Sequence, residues 1–138
     1  MSVDIRNFTR SATPRLPFDK AVAAALPGWD ISLVFAGETR AQSLNIALRG
    51  KDYVPNVLSY EAGEKSGEII ICPAVAKREA ASYGFSVPQH LLFLFIHGLL
   101  HLKGLSHGAT MDKRERAVLA RVLNTPSLKN ATTHSNRD

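Results

Sequence analysis

Two hydrophobic periods alternate along this chain. Short stretches with apolar residues at every second position read as strands; stretches with apolar residues three and four apart read as helices. Val3-Asp4-Ile5-Arg6 alternates and predicts a first strand. Thr9 to Pro14 is a polar connection. The alanines, Val22 and Leu26 predict a helix from Pro17 to Leu26, with Pro17 tolerated at its start and Pro27-Gly28 ending it. Ile31 to Phe35, rich in β-branched and aromatic residues, predicts a second strand, broken by Gly37. Glu38 to Leu48 predicts a second helix, with Leu44 and Leu48 on one face. Arg49 to Pro55 is a charged loop, and Asn56 to Tyr60 a third strand. A polar turn from Glu61 to Gly67 leads into a fourth strand, Glu68 to Cys72. The unbroken Ile69-Ile70-Ile71 predicts an interior strand covered on both faces. The short loop joining the third and fourth strands predicts an antiparallel pair.

The second half of the chain reads as helical. Pro73 opens a helix that runs to about Tyr83 and stops at Gly84. Ser86 is placed to cap the next helix, with Pro88 in its first turn. That helix, about Val87 to Lys103, is apolar on nearly every side, which predicts burial against the sheet. Thr110 is placed to cap a final helix, with Asp112 at its positive end and a stripe of Met111, Val118, Leu119, Val122 and Leu123. Pro126 closes it, and residues 127–138 read as a polar, disordered tail containing His134. One domain over residues 1–126 is expected.

Composition narrows the class. The chain has 138 residues, is 45% hydrophobic and carries one cysteine, Cys72. It can bury a core but cannot build an internal disulfide framework, which fits a reducing compartment. Met1 to Arg6 lacks the basic start and apolar run of a secretory signal. Leu91 to Ile96 is too short to cross a bilayer. A cytoplasmic protein with no membrane partner is expected. The net charge of +5 favours polyanionic partners such as RNA.

The chemistry concentrates between residues 97 and 107, where three of the five histidines lie. His97 and His101 are four apart, so on a helix they project from one face, one turn apart. Gly104 can stop that helix and reverse the chain, and His107 can then swing back as a third nitrogen ligand. Three imidazoles with one open position form the layout of a catalytic zinc centre, whereas a structural site is closed by four protein ligands. Imidazole suits nickel as well as zinc. Arg49 reads equally well as a planar cation for phosphate charge or as a surface partner of Asp52, and Lys51 is placed to hold an RNA backbone. Gly98 beside the first ligand leaves room for the close approach of a strand or a substrate.

Three blocks carry a resemblance to the YbeY family of metal-dependent endoribonucleases, known as ribosomal RNA maturation factors. They are Leu44-Asn45 with Arg49-Gly50-Lys51-Asp52-Tyr53 and Asn56-Val57-Leu58-Ser59, then Gly67-Glu68-Ile69-Ile70-Ile71, then His97 to Gly104 with His107. Met111 to Leu119 resembles the family's closing helix. The resemblance implies a single α+β domain: a four-stranded mixed sheet with about five helices, one of them a buried, zincin-like metal-binding helix. It implies one zinc ion on His97, His101 and His107, and places Arg49 in the active-site cleft. The implied activity is single-strand-type cleavage of RNA in ribosomal RNA processing and ribosome quality control, with the small subunit as a partner. One position departs: the family has Gly-Tyr-Asp-His where this chain has Gly104-Leu105-Ser106-His107. If that aspartate orients a ligand, its replacement by Ser106 alters metal affinity or rate.

Two other functions compete. The offsets of His97, His101, Gly104 and His107 match a zinc-peptidase pattern, but that pattern requires glutamate after the first histidine, where this chain has Gly98. A non-catalytic ribosome-assembly factor with a bracing metal is the rival from another class.

Overall fold

The structure, a computed structural model, describes residues 3–130. Four strands form one sheet: β1 (Val3–Asn7), β2 (Asp30–Phe35), β3 (Val57–Gly63) and β4 (Ser66–Ile71). Five α-helices accompany them: α1 (Phe18–Ala25), α2 (Glu38–Arg49), α3 (Pro73–Glu79), α4 (Val87–Leu102) and α5 (Ala109–Leu123). Short 3₁₀ turns follow α3 and α5 at Ala80–Tyr83 and Pro126–Asn130. The sheet order is β1-β2-β4-β3, so β3 is an edge. β1 and β4 both run parallel to β2, and β3 is antiparallel to β4. This is the mixed four-stranded α+β architecture that the resemblance implies, with β4 interior as its isoleucine run predicts.

Alternation decides which face each residue serves. Ile31, Leu33 and Phe35 of β2, with Ile69 and Ile71 of β4, join the main core beneath α4. Val34, Ile70 and Cys72 point the other way, to a smaller core with Ala41 of α2 and Leu58 of β3. That two-sided burial explains the unbroken isoleucine run.

α4 is the central element. Twelve of its sixteen residues are buried, between the sheet and α1, α3 and α5. Its start is fixed as the sequence predicts. Ser86 Oγ accepts from Gln89 N at 3.2 Å, and Gln89 Oε1 accepts from Ser86 N at 2.9 Å, a reciprocal capping box. Gly98 lies where α4 crosses β4, and a β-carbon there would stand 3.1 Å from two atoms of Ile69. The neighbour Gly98 admits is therefore a strand. Among the described residues, no single helix is long and apolar enough to cross a membrane.

Two expectations change at the C-terminal end. Thr110 is not the cap of α5; the helix begins at Ala109, with Gly108 before it at φ 151°. The chain turns sharply after His107, and glycine tolerates that backbone where threonine would be strained. Nor do the residues from Pro126 to Asn130 read as a tail. Pro126 opens the last 3₁₀ turn, which buries Leu128 in the main core. The remainder of the tail, with His134, lies outside the described residues.

Candidate metal centre

The histidine cluster follows from how α4 ends. His97 and His101 stand one turn apart on α4, with ring centroids separated by 4.5 Å. After Lys103 the chain reverses at Gly104 (φ 103°), where Gly104 N returns to His101 O at 2.9 Å and Leu105 N to Leu100 O at 3.0 Å. The returning loop brings the His107 ring to 5.0 Å from His97 and 4.8 Å from His101. One nitrogen from each ring can be chosen so that all three lie within 4.8 Å of one another. Burial is graded, with His97 inside, His101 half-buried and His107 exposed.

A residue missing from the sequence-based candidates fixes the deepest ring. The carboxylate of Glu115, on α5, meets His97 Nδ1, and neither residue is more than 2% exposed. A buried carboxylate without a partner costs several kcal/mol, so the contact with His97 also compensates its burial. With Nδ1–H donating to the carboxylate, His97 Nε2 carries the lone pair. That Nε2 lies 3.0 Å from His101 Nε2. Nitrogens sharing one tetrahedral zinc at about 2.0–2.1 Å stand about 3.3 Å apart, so the donor set fits such an ion. The carboxylate–histidine pair is the usual support of a metal-ligating imidazole. A signal for Glu115 was present in the sequence. Met111, Glu115 and Leu119 occur at i, i+4 and i+8, which puts a carboxylate in the middle of an apolar stripe.

The cluster opens into a cleft of about 440 Å³. One wall is α4, with His97, Gly98, His101 and Leu102; the other is the edge strand, from Val57 to Glu61; Arg49 and His107 complete it. Arg49 ends α2. Among the described residues no ion pair joins it to Asp52, whose carboxylate accepts from Gln42 Nε2 at 2.8 Å. The closest polar contact of Arg49 is a long one, 3.5 Å to the Tyr53 hydroxyl. Lys51 is exposed on the following loop and does not line the cleft. Ser59 does line it, as does Glu61, the one carboxylate among the lining residues. Asn56 is structural: its side chain donates to Glu79 Oε1 at 2.9 Å and accepts from Val57 N at 2.7 Å.

Two further groups are excluded from acid–base work near neutrality. Tyr60 donates to the Glu68 carboxylate, and its pKa is pushed up to about 12, first by burial and then by that hydrogen bond and charge. Burial pushes the Cys72 thiol up as well, and it stands outside the histidine cluster. His90 is a buried partner of Glu79 at 2.8 Å, stacked on Phe93 with Tyr83 and Phe85 tilted against it, and does not line the cleft.

Comparison with known proteins agrees with this geometry. A family model described as endoribonuclease YbeY matches residues 3–123. The chain is 40% identical over 111 residues to the endoribonuclease YbeY of Thiobacillus denitrificans, covering 72% of this chain and 76% of that protein. It is 35% identical over 128 residues to that of Aromatoleum aromaticum, covering 90% and 83%. The solution structure of TM1509 from Thermotoga maritima superposes with a TM-score of 0.64 over 99% of this chain and all of that one, at 19% identity, a likeness of fold. The match over nearly the whole folded region, with the histidine trio inside it, makes the conclusion direct: the chain belongs to the endoribonuclease YbeY family.

Proposed function

We propose that the protein is a metal-dependent endoribonuclease acting on ribosomal RNA, with His97, His101 and His107 as the ligands of one zinc ion. The observation that carries the reading is the meeting, in one open cleft, of three imidazoles and an arginine that has no ion-pair partner among the described residues. A bound zinc or nickel ion would supply Lewis acidity and bring a coordinated water's pKa toward neutrality.

The chain's own residues do the rest. Glu115 holds His97 in the tautomer that presents Nε2 to the cleft. Arg49, free of Asp52, offers a planar fork to the non-bridging oxygens of a phosphodiester, where negative charge grows during displacement. Lys51, outside the cleft, meets a neighbouring backbone phosphate. The β3 edge and α4 form the two walls between which the strand lies. Gly98 supplies no carboxylate, so a peptidase base is missing from the helix position where that chemistry needs it.

The test is RNA cleavage by purified, metal-quantified protein beside His101→Ala prepared identically. Stoichiometric metal and cleavage in the wild type, both lost in the variant, support the reading. Bound metal with no cleavage of structured or single-stranded RNA overturns it in favour of a ribosome-assembly factor.

A further inference from the structure

Beside Arg49 stands an aromatic ring that the core does not use. Tyr53 is 36% exposed and joins neither hydrophobic cluster. Its loop is nevertheless held firmly. The Tyr53 carbonyl accepts from the buried Asn45 side chain at 3.0 Å, and the Asp52 carboxylate from Gln42 at 2.8 Å. Gly50 N and Lys51 N return to Ile46 O and Asn45 O at 2.9 and 3.4 Å. Four ties to α2 thus fix a loop whose largest side chain is partly exposed. The Tyr53 hydroxyl is 3.5 Å from Arg49 Nη1, which puts the ring at the rim of the cleft that Arg49 lines. A partly exposed ring with Arg49 at its hydroxyl edge and Lys51 two residues away in the same loop joins an aromatic surface to two cations, the combination that binds an unstacked base together with its flanking phosphates. Fixing the loop in advance removes an ordering cost from binding.

We propose that Tyr53 is a base-stacking subsite: a nucleobase of the RNA lies on its ring while Arg49 takes the phosphate on the cleft side. The proposal rests on the endoribonuclease reading and names where one base of that substrate sits. Stacking tolerates every base, so the subsite selects for an accessible base without selecting its identity.

The test measures binding, by fluorescence anisotropy, of a short labelled oligoadenylate with 2′-O-methyl sugars and of the same backbone lacking its bases. Wild type, Tyr53→Ala and Tyr53→Phe are compared after equal melting temperatures establish that each is folded. Tyr53→Ala is expected to weaken the base-bearing oligomer about 5- to 150-fold, the range of one lost stack. Tyr53→Phe keeps the wild-type affinity, and the abasic backbone binds all three proteins equally. Equal binding of the base-bearing oligomer by Tyr53→Ala and wild type overturns the subsite and leaves the nuclease reading standing. Equal weakening of both oligomers by Tyr53→Ala also overturns it, because Tyr53 then acts by holding Arg49. A wild type that neither binds nor cleaves RNA sinks the nuclease reading itself.

Discussion

Replacing Gly98 with alanine sets two opposing effects against each other at the helix that carries His97 and His101. In a helix interior alanine is favoured over glycine by about 1 kcal/mol. Against this, the new methyl would stand 3.1 Å from Cδ1 and Cγ2 of Ile69 and 3.2 Å from its Cγ1. Ordinary carbon contacts lie at about 3.5–4.0 Å, so three contacts are short together. Ile69 is fully buried in β4, which is paired on both edges, so the strand has nowhere to retreat. The remaining response is to turn the isoleucine from its rotamer or lift α4 from the sheet, and overpacking of this kind costs about 1–3 kcal/mol. Gly98→Ala is therefore expected to lose up to about 2 kcal/mol net, read by urea denaturation in the presence of chelator. Lifting α4 also moves His97 and His101 relative to His107, so metal affinity should fall as well. Ile69→Ala removes all three short contacts, and a double-mutant cycle should show a coupling that favours the pair. A Gly98→Ala protein about 1 kcal/mol more stable than wild type, with unchanged metal affinity, would refute the argument.

Three other outcomes are expected. Glu115→Gln removes the charge that fixes His97 and should lower metal affinity about 10- to 100-fold in a chelator competition; equal affinity would deny Glu115 its positioning role. Arg49→Ala should leave metal content unchanged while lowering kcat for RNA cleavage about 100-fold or more, and an unchanged kcat would remove Arg49 from the phosphate site. Tyr60 holds its proton to about pH 12 in the folded chain against 10.0 ordinarily, so its contribution is full below pH 10 and declines as the pH rises from 10 to 12. Tyr60→Phe should be about 1 kcal/mol less stable at neutral pH and lose less than wild type over that alkaline range; parallel curves would contradict the assignment.

Local chemistry was legible in the sequence; long-range contact was not. Ser86 with Pro88 and the apolar run behind them announced α4, because capping and periodicity are written within one turn. His97, His101 and Gly104 announced the cluster for the same reason. Glu115 escaped because it lies 18 residues from His97, and helical periodicity says which face is buried without saying what it meets. Arg49 stayed ambiguous because the competing partner of Asp52 is Gln42, ten residues upstream. Thr110 resembled a cap by residue type, but the turn after His107 required the backbone freedom of Gly108 two positions earlier. Leu128 looked like part of a polar tail because one apolar residue has no period, yet one is enough to anchor a turn on the core.

The departure at Ser106 takes on a different weight once Glu115 is placed. The loss of an aspartate next to the third ligand looked like the loss of the site's orienting carboxylate. Ser106 and His107 are both exposed, on a loop bounded by Gly104 and Gly108, each at positive φ. A carboxylate there would work in high dielectric, where an ion pair contributes about 0–1 kcal/mol. Glu115 works from the opposite side, inside the protein, on the most buried of the three histidines, where water does not screen its interaction with the ring. Two of the three histidines are on the helix α4, and the first is held in its tautomer from the core. The exposed His107 would then need only to close on a pair already set, and the residue before it is free to vary. By this argument Ser106→Asp should change metal affinity far less than Glu115→Gln, and the reverse order would place the orienting function at the cleft's exposed rim.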